Sequence, residues 1–236
     1  MTHHQLQVAE DRPDGVRTVL LHRPRRRNAL DVGLAQAVRD AVARPGPRVI
    51  VLGSTDPTTF CAGGDLSLSA SGLARVSDAI YEVLEAMVTC SAVVVVAADG
   101  AAIGGGAQLL LAGDLRIGGP RLTVGFVGAA SGLAIGTWRL PGVVGPGLAS
   151  DLSLTGRRLT GDEALGAGLV HRLVADPLEE ARAVAGVVAA APAEVVRDVL
   201  SSSREATLLD HLARERAANA DRHHRDAGTR APRGRD

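Results

Sequence analysis

Short apolar runs alternate along the chain with longer segments of helical periodicity. The clearest run is Val93–Val96, four consecutive β-branched residues, which predict a strand buried on both faces. Val49–Gly53 predicts a second buried strand, and Leu6–Val8 with Val16–Leu21 predicts a hairpin across a polar turn. Further short strands are predicted over Leu115–Ile117, Leu122–Val124 and Leu169–Val174.

Apolar residues spaced three and four apart predict helices between and after these strands. Asp31 is the predicted N-cap of the first helix, and Ala79–Val88 carries the second. The stretch 67–77, rich in Ser, Gly and Ala, predicts a mobile loop, and the polar tail from His223 is predicted to fray. Helices are also predicted from about Gly147, after Thr160 and Pro177, and over Ala193–Leu200 and Arg204–Ala218. Strands that alternate with helices predict an α/β fold with right-handed crossovers.

Two glycine-rich segments are the candidates for close approach to a ligand. Gly104–Gly106 opens an apolar helix that runs through Leu111, and a helix start carries unpaired N–H donors and a partial positive charge. Such a start suits an oxyanion or a phosphate, although a glycine-packed turn is the alternative interpretation. The segment Phe60–Leu66 also contains several small residues, and because small side chains leave the backbone accessible, a ligand can approach it closely.

Composition excludes several classes of function. The 236 residues carry 26 basic and 26 acidic side chains, so no basic excess points to nucleic acid. The sequence contains no lysine, so all 26 of these basic side chains are arginines and lysine Schiff-base chemistry is excluded. Two cysteines are too few for a disulfide framework, and no His, Asp or Glu cluster has metal-ligand spacing. No run reaches the roughly 18 apolar residues of a membrane span, so we expect a cytoplasmic protein.

Four segments, taken in order, resemble the enoyl-CoA hydratase/isomerase (crotonase) family. RPRRRNAL at residues 23–30 resembles the family's first CoA-contacting loop, and FCAGGDL at residues 60–66 resembles its oxyanion and adenine loop. DGAAIGGGAQLLLAGDLRI at residues 99–117 resembles the second oxyanion segment. LTGRRLTGDEALGAGLVHRLV at residues 154–174 resembles the helical hairpin that follows. The resemblance covers roughly residues 8–174.

This resemblance implies an architecture and a mode of assembly. The expected fold is a crotonase-like α/β spiral of ββα units that form two sheets, with C-terminal helices that build a homotrimer or hexamer. We therefore expect an acyl-CoA-binding core over residues 1–185 and a helical appendage with a polar tail over residues 186–236. Coenzyme A would enter as part of the substrate, and no separate cofactor, metal or nucleic acid is expected.

The resemblance also implies the site. The backbone N–H groups of Ala62 and Gly105 would form an oxyanion hole for the thioester carbonyl. Asp114 would be structural and hold the turn after the apolar helix. The CoA portion would meet six residues, Arg25, Arg26 and Arg27 beside the phosphates and Gly64, Asp65 and Leu66 around the adenine.

Two departures from the family pattern bear on activity. Gln108 and Gly128 occupy the positions of the two glutamates that move protons in family hydratases. Glutamine cannot accept a proton from water and glycine has no side chain, so standard hydration is not expected. Another acid or a bound water would then be needed to move protons. Asp78, Glu82 and Glu85 are candidates for that acid, and a solvated helix face is the alternative interpretation of these three residues.

His22 and His171 are predicted to be satisfied surface or core residues, and Cys61 is predicted to be a packing residue. His223 and His224 are predicted to be inert residues of the tail, and Ser131 lacks the elbow motif and paired histidine of a serine nucleophile. Two hypotheses follow. The first is a crotonase-superfamily lyase or isomerase in fatty-acid or related acyl-CoA metabolism. The second is a non-catalytic acyl-CoA-binding or accessory protein with the same fold.

Overall fold

The computed structural model describes residues 6–9, 14–204 and 206–229. Its strands are β1 (Leu6–Ala9), β2 (Val16–Leu21), β3 (Val49–Ser54), β4 (Thr59–Cys61), β5 (Val93–Ala98), β6 (Ala101–Ile103), β7 (Leu115–Gly118), β8 (Thr123–Gly125), β9 (Arg158–Thr160) and β10 (Arg172–Leu173). Its helices are α1 (Val32–Ala43), α2 (Ala70–Thr89), α3 (Gly105–Ala112), α4 (Leu140–Val144), α5 (Pro146–Thr155), α6 (Gly161–Gly166), α7 (Pro177–Ala190), α8 (Ala193–Ser203) and α9 (Leu208–Thr229).

The strands form two mixed sheets. The larger has the order β1-β2-β3-β5-β7-β10, in which only the β1–β2 pair is antiparallel. The smaller has the order β4-β6-β8-β9, in which only the β8–β9 pair is antiparallel. The predicted hairpin of β1 and β2 is confirmed, because Leu6 pairs with Leu21 across it.

Strand β5 explains why four valines stand in a row. Val94 and Val96 face the main core, whereas Val93 and Val95 face a second core on the other side of the sheet. Helix α7 covers that second side with Ala181 and other alanines, so both faces of β5 exclude water. The prediction of a strand buried on both faces is confirmed.

Three local predictions are wrong. Residues 70–77 belong to helix α2, which begins where the Ser69 hydroxyl accepts the Gly72 N–H at 3.2 Å. The strand predicted over Leu169–Val174 contains only Arg172–Leu173, because Leu169 and Val170 are buried in the turn before it. Helix α9 continues through Thr229, so the frayed tail predicted from His223 does not begin there, and residues 230–236 lie outside the described residues.

The C-terminal helices pack on the rest of the chain in two places. Helix α7 packs on the larger sheet, and α9 lies along α2. The predicted division at residues 185 and 186 falls within α7, a single helix, and the two-part organisation stays a prediction.

Asp114 has the structural role expected of it. Its carboxylate accepts the Val94 N–H of β5 at 2.8 Å and pairs with Arg204, which follows α8, at 2.8 Å. The Arg204 guanidinium also donates to the carbonyls of Val88, Cys90 and Ala92. This contact fixes the junction between α8 and the sheet.

Candidate functional site

A cavity of about 350 Å³ lies where the two glycine-rich segments meet α2 and α9. Its walls come from the loop after β4, the first half of α2, the start of α3, the loop after β8 and the C-terminal part of α9. Aliphatic side chains dominate the lining, among them Leu73, Val76 and Ile80 of α2. The cavity therefore suits an apolar chain with a polar end at the glycine-rich wall.

The two glycine-rich segments pack backbone to backbone. Gly63 has a φ of +96°, and a Cβ there would lie 2.8 Å from the Ile103 carbonyl oxygen. A Cβ on Gly106 would lie 2.1 Å from the Cys61 carbonyl oxygen. Only glycine fits at both points, and this close approach brings the amides of the two segments to one wall of the cavity.

Backbone hydrogen bonds decide which of these amides can meet a ligand. The Ala62 N–H donates to the Arg27 carbonyl at 3.0 Å, and the Asp65 N–H donates to the Leu30 carbonyl at 2.8 Å. In the described ranges, the Gly64 N–H has no acceptor. Although Ala62 lines the cavity, the prediction that its N–H donates to an oxyanion is wrong, because that N–H is already used.

Gly105 supplies a second free amide at the same wall. It is the first residue of α3, where N–H groups lack intrahelical partners. Its N–H has no acceptor in the described part of the chain, and both Gly64 and Gly105 line the cavity. The site therefore presents two backbone donors, one of them at a helix N-terminus.

The arginine loop is tied to this wall. Besides the contact from Ala62 to Arg27, the Leu30 N–H donates to the Gly63 carbonyl at 2.7 Å. Arg25, Arg26 and Arg27 are exposed and have no acidic partner among the described residues. They stand outside the cavity lining, next to the loop that forms it. Leu66, whose side chain is 76% exposed, lines the mouth.

Asp65 holds this loop and does not line the cavity. Its carboxylate accepts from the Ser67 hydroxyl at 2.6 Å and pairs with Arg23 at 2.8 Å. These contacts, Ser67 first and Arg23 next, lower the pKa of Asp65 to about 2. The side chain is buried and fully engaged, so the prediction that Asp65 contacts the CoA portion receives no support from its position.

We expect Asp65→Asn to reduce the free energy of unfolding at pH 7 by about 2 kcal/mol, because charge-assisted hydrogen bonds are lost. An aspartate in the unfolded chain titrates near pH 3.9, so this stabilisation is present above that pH and is lost as the pH falls through the folded pKa of about 2. Urea unfolding from pH 7 to about pH 2 should show the difference in stability between the two proteins shrinking once the pH falls below about 3.9. Asp221→Asn, at an exposed position of α9, is the control. An equal difference at every pH would contradict the prediction.

Gln108 faces the cavity but is held by a neighbour. The indole N–H of the buried Trp138 donates to the Gln108 side-chain oxygen at 3.1 Å. The Gln108 amide is therefore a fixed polar group on the wall with no capacity to remove a proton.

Gly128 lines the cavity and has no room for a side chain. A Cβ there would lie 2.4 Å from Ile135 Cγ1 and 2.6 Å from the Leu133 carbonyl oxygen. A glutamate would therefore require the loop after β8 to adopt another course.

The acidic residues of α2 do not replace the missing glutamates, and the hypothesis that they do is wrong. Asp78 pairs with Arg216 at 3.4 Å, and Glu82 pairs with Arg39 at 2.6 Å. Glu85 also approaches Arg216, at 4.0 Å, and none of the three lines the cavity. They join α2 to α1 and α9.

Cys61 is structural, as expected. Its thiol donates to the Asn28 carbonyl at 3.1 Å, and burial raises its pKa to about 12. A thiol that stays protonated is a poor nucleophile.

Sequence reasoning missed the contribution of α9. Asn219 and His223 line the cavity, and Glu215 lies buried behind it. The 215, 219, 223 spacing places all three on one face of a helix, which was the available signal. The prediction that His223 is an inert tail residue is wrong in its placement, because the residue is helical and lines the cavity.

Within the described ranges, no group of three His, Cys, Asp or Glu side chains could hold a metal ion. None of the described helices combines the length and apolar character needed to cross a membrane.

The two mixed sheets, the C-terminal helices and the pair of free amides at a cavity define a crotonase-type α/β protein. The sequence model for enoyl-CoA hydratase/isomerase matches residues 11–231. A protein of Mycobacterium leprae named probable enoyl-CoA hydratase echA6 is 39% identical over 185 residues, which are 74% of this chain and 73% of that protein. This chain belongs to the enoyl-CoA hydratase/isomerase family.

Solved structures agree with this assignment. An enoyl-CoA hydratase from Bacillus anthracis matches with a TM-score of 0.78 and 26% identity, over 93% of this chain and 90% of that one. An enoyl-CoA hydratase/isomerase from Pseudoalteromonas atlantica T6c matches with a TM-score of 0.79 and 28% identity, over 92% of this chain and 90% of that one. The predicted crotonase fold class is confirmed.

Proposed function

We propose that this protein binds an acyl-CoA thioester in the cavity, with the thioester carbonyl oxygen accepting hydrogen bonds from the N–H groups of Gly64 and Gly105. The observation that carries this proposal is the pair of amides without acceptors on one wall of an otherwise aliphatic cavity, within the described residues. Fixed donors aimed at that oxygen stabilise the negative charge that develops when the acyl group reacts.

The exposed arginine loop supports the CoA half of this proposal. Arg25, Arg26 and Arg27 lie beside the loop that carries Gly64 and have no acidic partner among the described residues. Guanidinium groups bind phosphate oxygens through paired hydrogen bonds. We assign these three side chains to the CoA phosphates and the exposed Leu66 to the mouth, near the adenine. No cofactor other than the CoA of the substrate is proposed.

Family membership supports a crotonase-type lyase or isomerase acting in fatty-acid or related acyl-CoA metabolism. A specific observation favours a second candidate, a non-catalytic acyl-CoA-binding or accessory protein. None of the described residues that line the cavity carries a carboxylate, and the sequence resemblance assigns Gln108 and Gly128 to the positions of the family's glutamates. Standard hydration is therefore not proposed for either candidate.

Exposed apolar side chains support the proposed homotrimer or hexamer. Val187 of α7 and Val195 and Val199 of α8 are more than half exposed, as expected for a surface that a second copy of the chain covers. A cytoplasmic location and the lack of a nucleic-acid partner stay predictions.

Calorimetry with two matched ligands tests the proposal. We expect butyryl-CoA or palmitoyl-CoA to bind at least about tenfold more tightly than the S-alkyl-CoA thioether of the same chain length, because the thioether lacks the oxygen that would meet both amides. Equal affinities for thioester and thioether would contradict the assignment of Gly64 and Gly105. Failure of every ligand to bind would overturn acyl-CoA recognition as a whole.

A further inference from the structure

An enolate forms in this cavity only if some group takes a proton from the carbon next to the thioester. Two ionisable side chains line the described cavity, those of Tyr81 and His223. The proposed function supplies the oxyanion donors but names no base, so these two residues are the candidates.

Tyr81 has no capacity left for this task. Its hydroxyl donates to the Glu215 carboxylate at 2.9 Å and accepts from the Asn219 amide at 2.7 Å. Burial, and then the charge of Glu215, raises the pKa of Tyr81, so the phenol remains protonated. Tyr81 is therefore a structural part of the wall.

His223 differs from Tyr81 in its hydrogen bonding. Its Nε2 atom is buried, yet it has no hydrogen-bond partner among the described residues. A buried polar atom without a partner is uncommon, because it loses its water without compensation. Because His223 also lines the cavity, a bound ligand can supply the partner that this nitrogen lacks.

The helix that carries His223 is fixed one turn earlier. The Asn219 amide donates to the Ala134 carbonyl at 2.6 Å, and the Ala134 N–H donates back to Asn219 Oδ1 at 3.0 Å. Residues four apart share a helix face, so His223 lies on the same face of α9 as Asn219, and both residues line the cavity. The backbone that carries His223 is thus fixed beside the cavity, and Tyr81, the other ionisable group of the described lining, does not compete with it.

We propose that His223 is the general base of this cavity, a proposal that rests on acyl-CoA binding at Gly64 and Gly105. In the tautomer with its proton on Nδ1, Nε2 takes the proton from the α-carbon. The electrons of that C–H bond form the enolate, whose oxygen the two amides hold. The imidazolium then returns the proton to the α-carbon, or, for a 3-enoyl thioester, delivers it to the γ-carbon and leaves a 2-enoyl thioester. No other reactant is required.

Exchange of the α-protons of butyryl-CoA for deuterium in D₂O, followed by proton NMR, tests the proposal. We expect the wild-type protein to catalyse exchange, and we expect His223→Gln to reduce the rate by about 100-fold or more, the usual contribution of a general base. His224→Gln, the exposed neighbour, should change the rate less than about twofold. Conversion of a 3-enoyl-CoA to the 2-enoyl isomer should show the same dependence on His223.

Butyryl-CoA affinity, measured on the same samples, separates the two proposals. Binding without exchange by the wild-type protein, or wild-type exchange by His223→Gln, would overturn the role of His223 and leave acyl-CoA binding intact. Lack of binding would overturn both. Should His223→Gln fail to fold, His223→Ala with added imidazole provides the second test, since recovery of exchange supports the base and lack of recovery contradicts it.

Discussion

Replacing Glu215 by alanine is expected to reduce the free energy of unfolding by about 3–5 kcal/mol, because several buried donors lose their acceptor at once. The Glu215 side chain is 4% exposed. Its carboxylate accepts from four donors, the Tyr81 hydroxyl at 2.9 Å, the Thr137 hydroxyl at 2.6 Å, the Trp138 N–H at 3.1 Å and the Gly136 N–H at 3.2 Å. Alanine leaves these groups without a partner and opens a void beside them.

Urea unfolding at pH 7 checks this expectation. Glu215→Gln should be intermediate, because its carbonyl oxygen can still accept while its NH₂ group faces donors. Asp210→Ala, at an exposed position of the same helix, is the control and should change the stability by less than about 0.5 kcal/mol. A loss below about 1 kcal/mol for Glu215→Ala would show that this carboxylate does not hold α9 to the core.

The same carboxylate links the C-terminal helix to the cavity wall. Glu215 fixes the backbone of Trp138, whose indole in turn holds the Gln108 side chain. It also holds the Tyr81 hydroxyl, which the Asn219 amide shares. The C-terminal helix is therefore part of the site's construction and not only a surface for assembly.

The fold could be predicted from sequence where local pattern and tertiary packing agree. The four valines of β5 are apolar on both faces because α7 covers one side of the sheet and the main core covers the other. Strands β4, β6 and β9 have three residues each, and neither their length nor their composition gives a strand signal. Their pairing with neighbours in the smaller sheet creates them.

The sequence predicted which glycine-rich segments form the candidate site. It did not predict which backbone N–H groups in those segments are free to bind a ligand. Gly64, Gly105, Gln108 and Gly128 do lie together at one cavity, because their motifs fix the backbone course around them. The choice of Ala62 failed, since its N–H is used by the Arg27 carbonyl, a contact between two loops that no motif reveals. His223 reaches the cavity because α9 folds along α2, and 138 residues separate Asn219 from its partner Tyr81.

Replacing Gly106 by alanine is expected to cost about 3 kcal/mol or more of stability, because overpacking against backbone cannot be relieved by a change of rotamer. The new Cβ would lie 2.1 Å from the Cys61 carbonyl oxygen and 2.8 Å from the Cys61 Cβ. The two glycine-rich segments must therefore separate. Since those segments carry the Gly64 and Gly105 amides, we also expect the preference for a thioester over its thioether to disappear.

Thermal unfolding and calorimetry with the two CoA ligands measure these effects. Gly186→Ala is the matched control, because Gly186 is also a helical glycine and a Cβ there would meet no heavy atom of the described residues within 4 Å. Alanine there should raise the stability by up to about 1 kcal/mol through the better helix propensity. Comparing the two variants separates the effect of the new contact from the effect of helix propensity. If Gly106→Ala loses stability while Gly186→Ala gains it, the loss is due to contact with the Cys61 backbone. A stable Gly106→Ala protein that still prefers the thioester would contradict both the tight packing and the proposed donor pair.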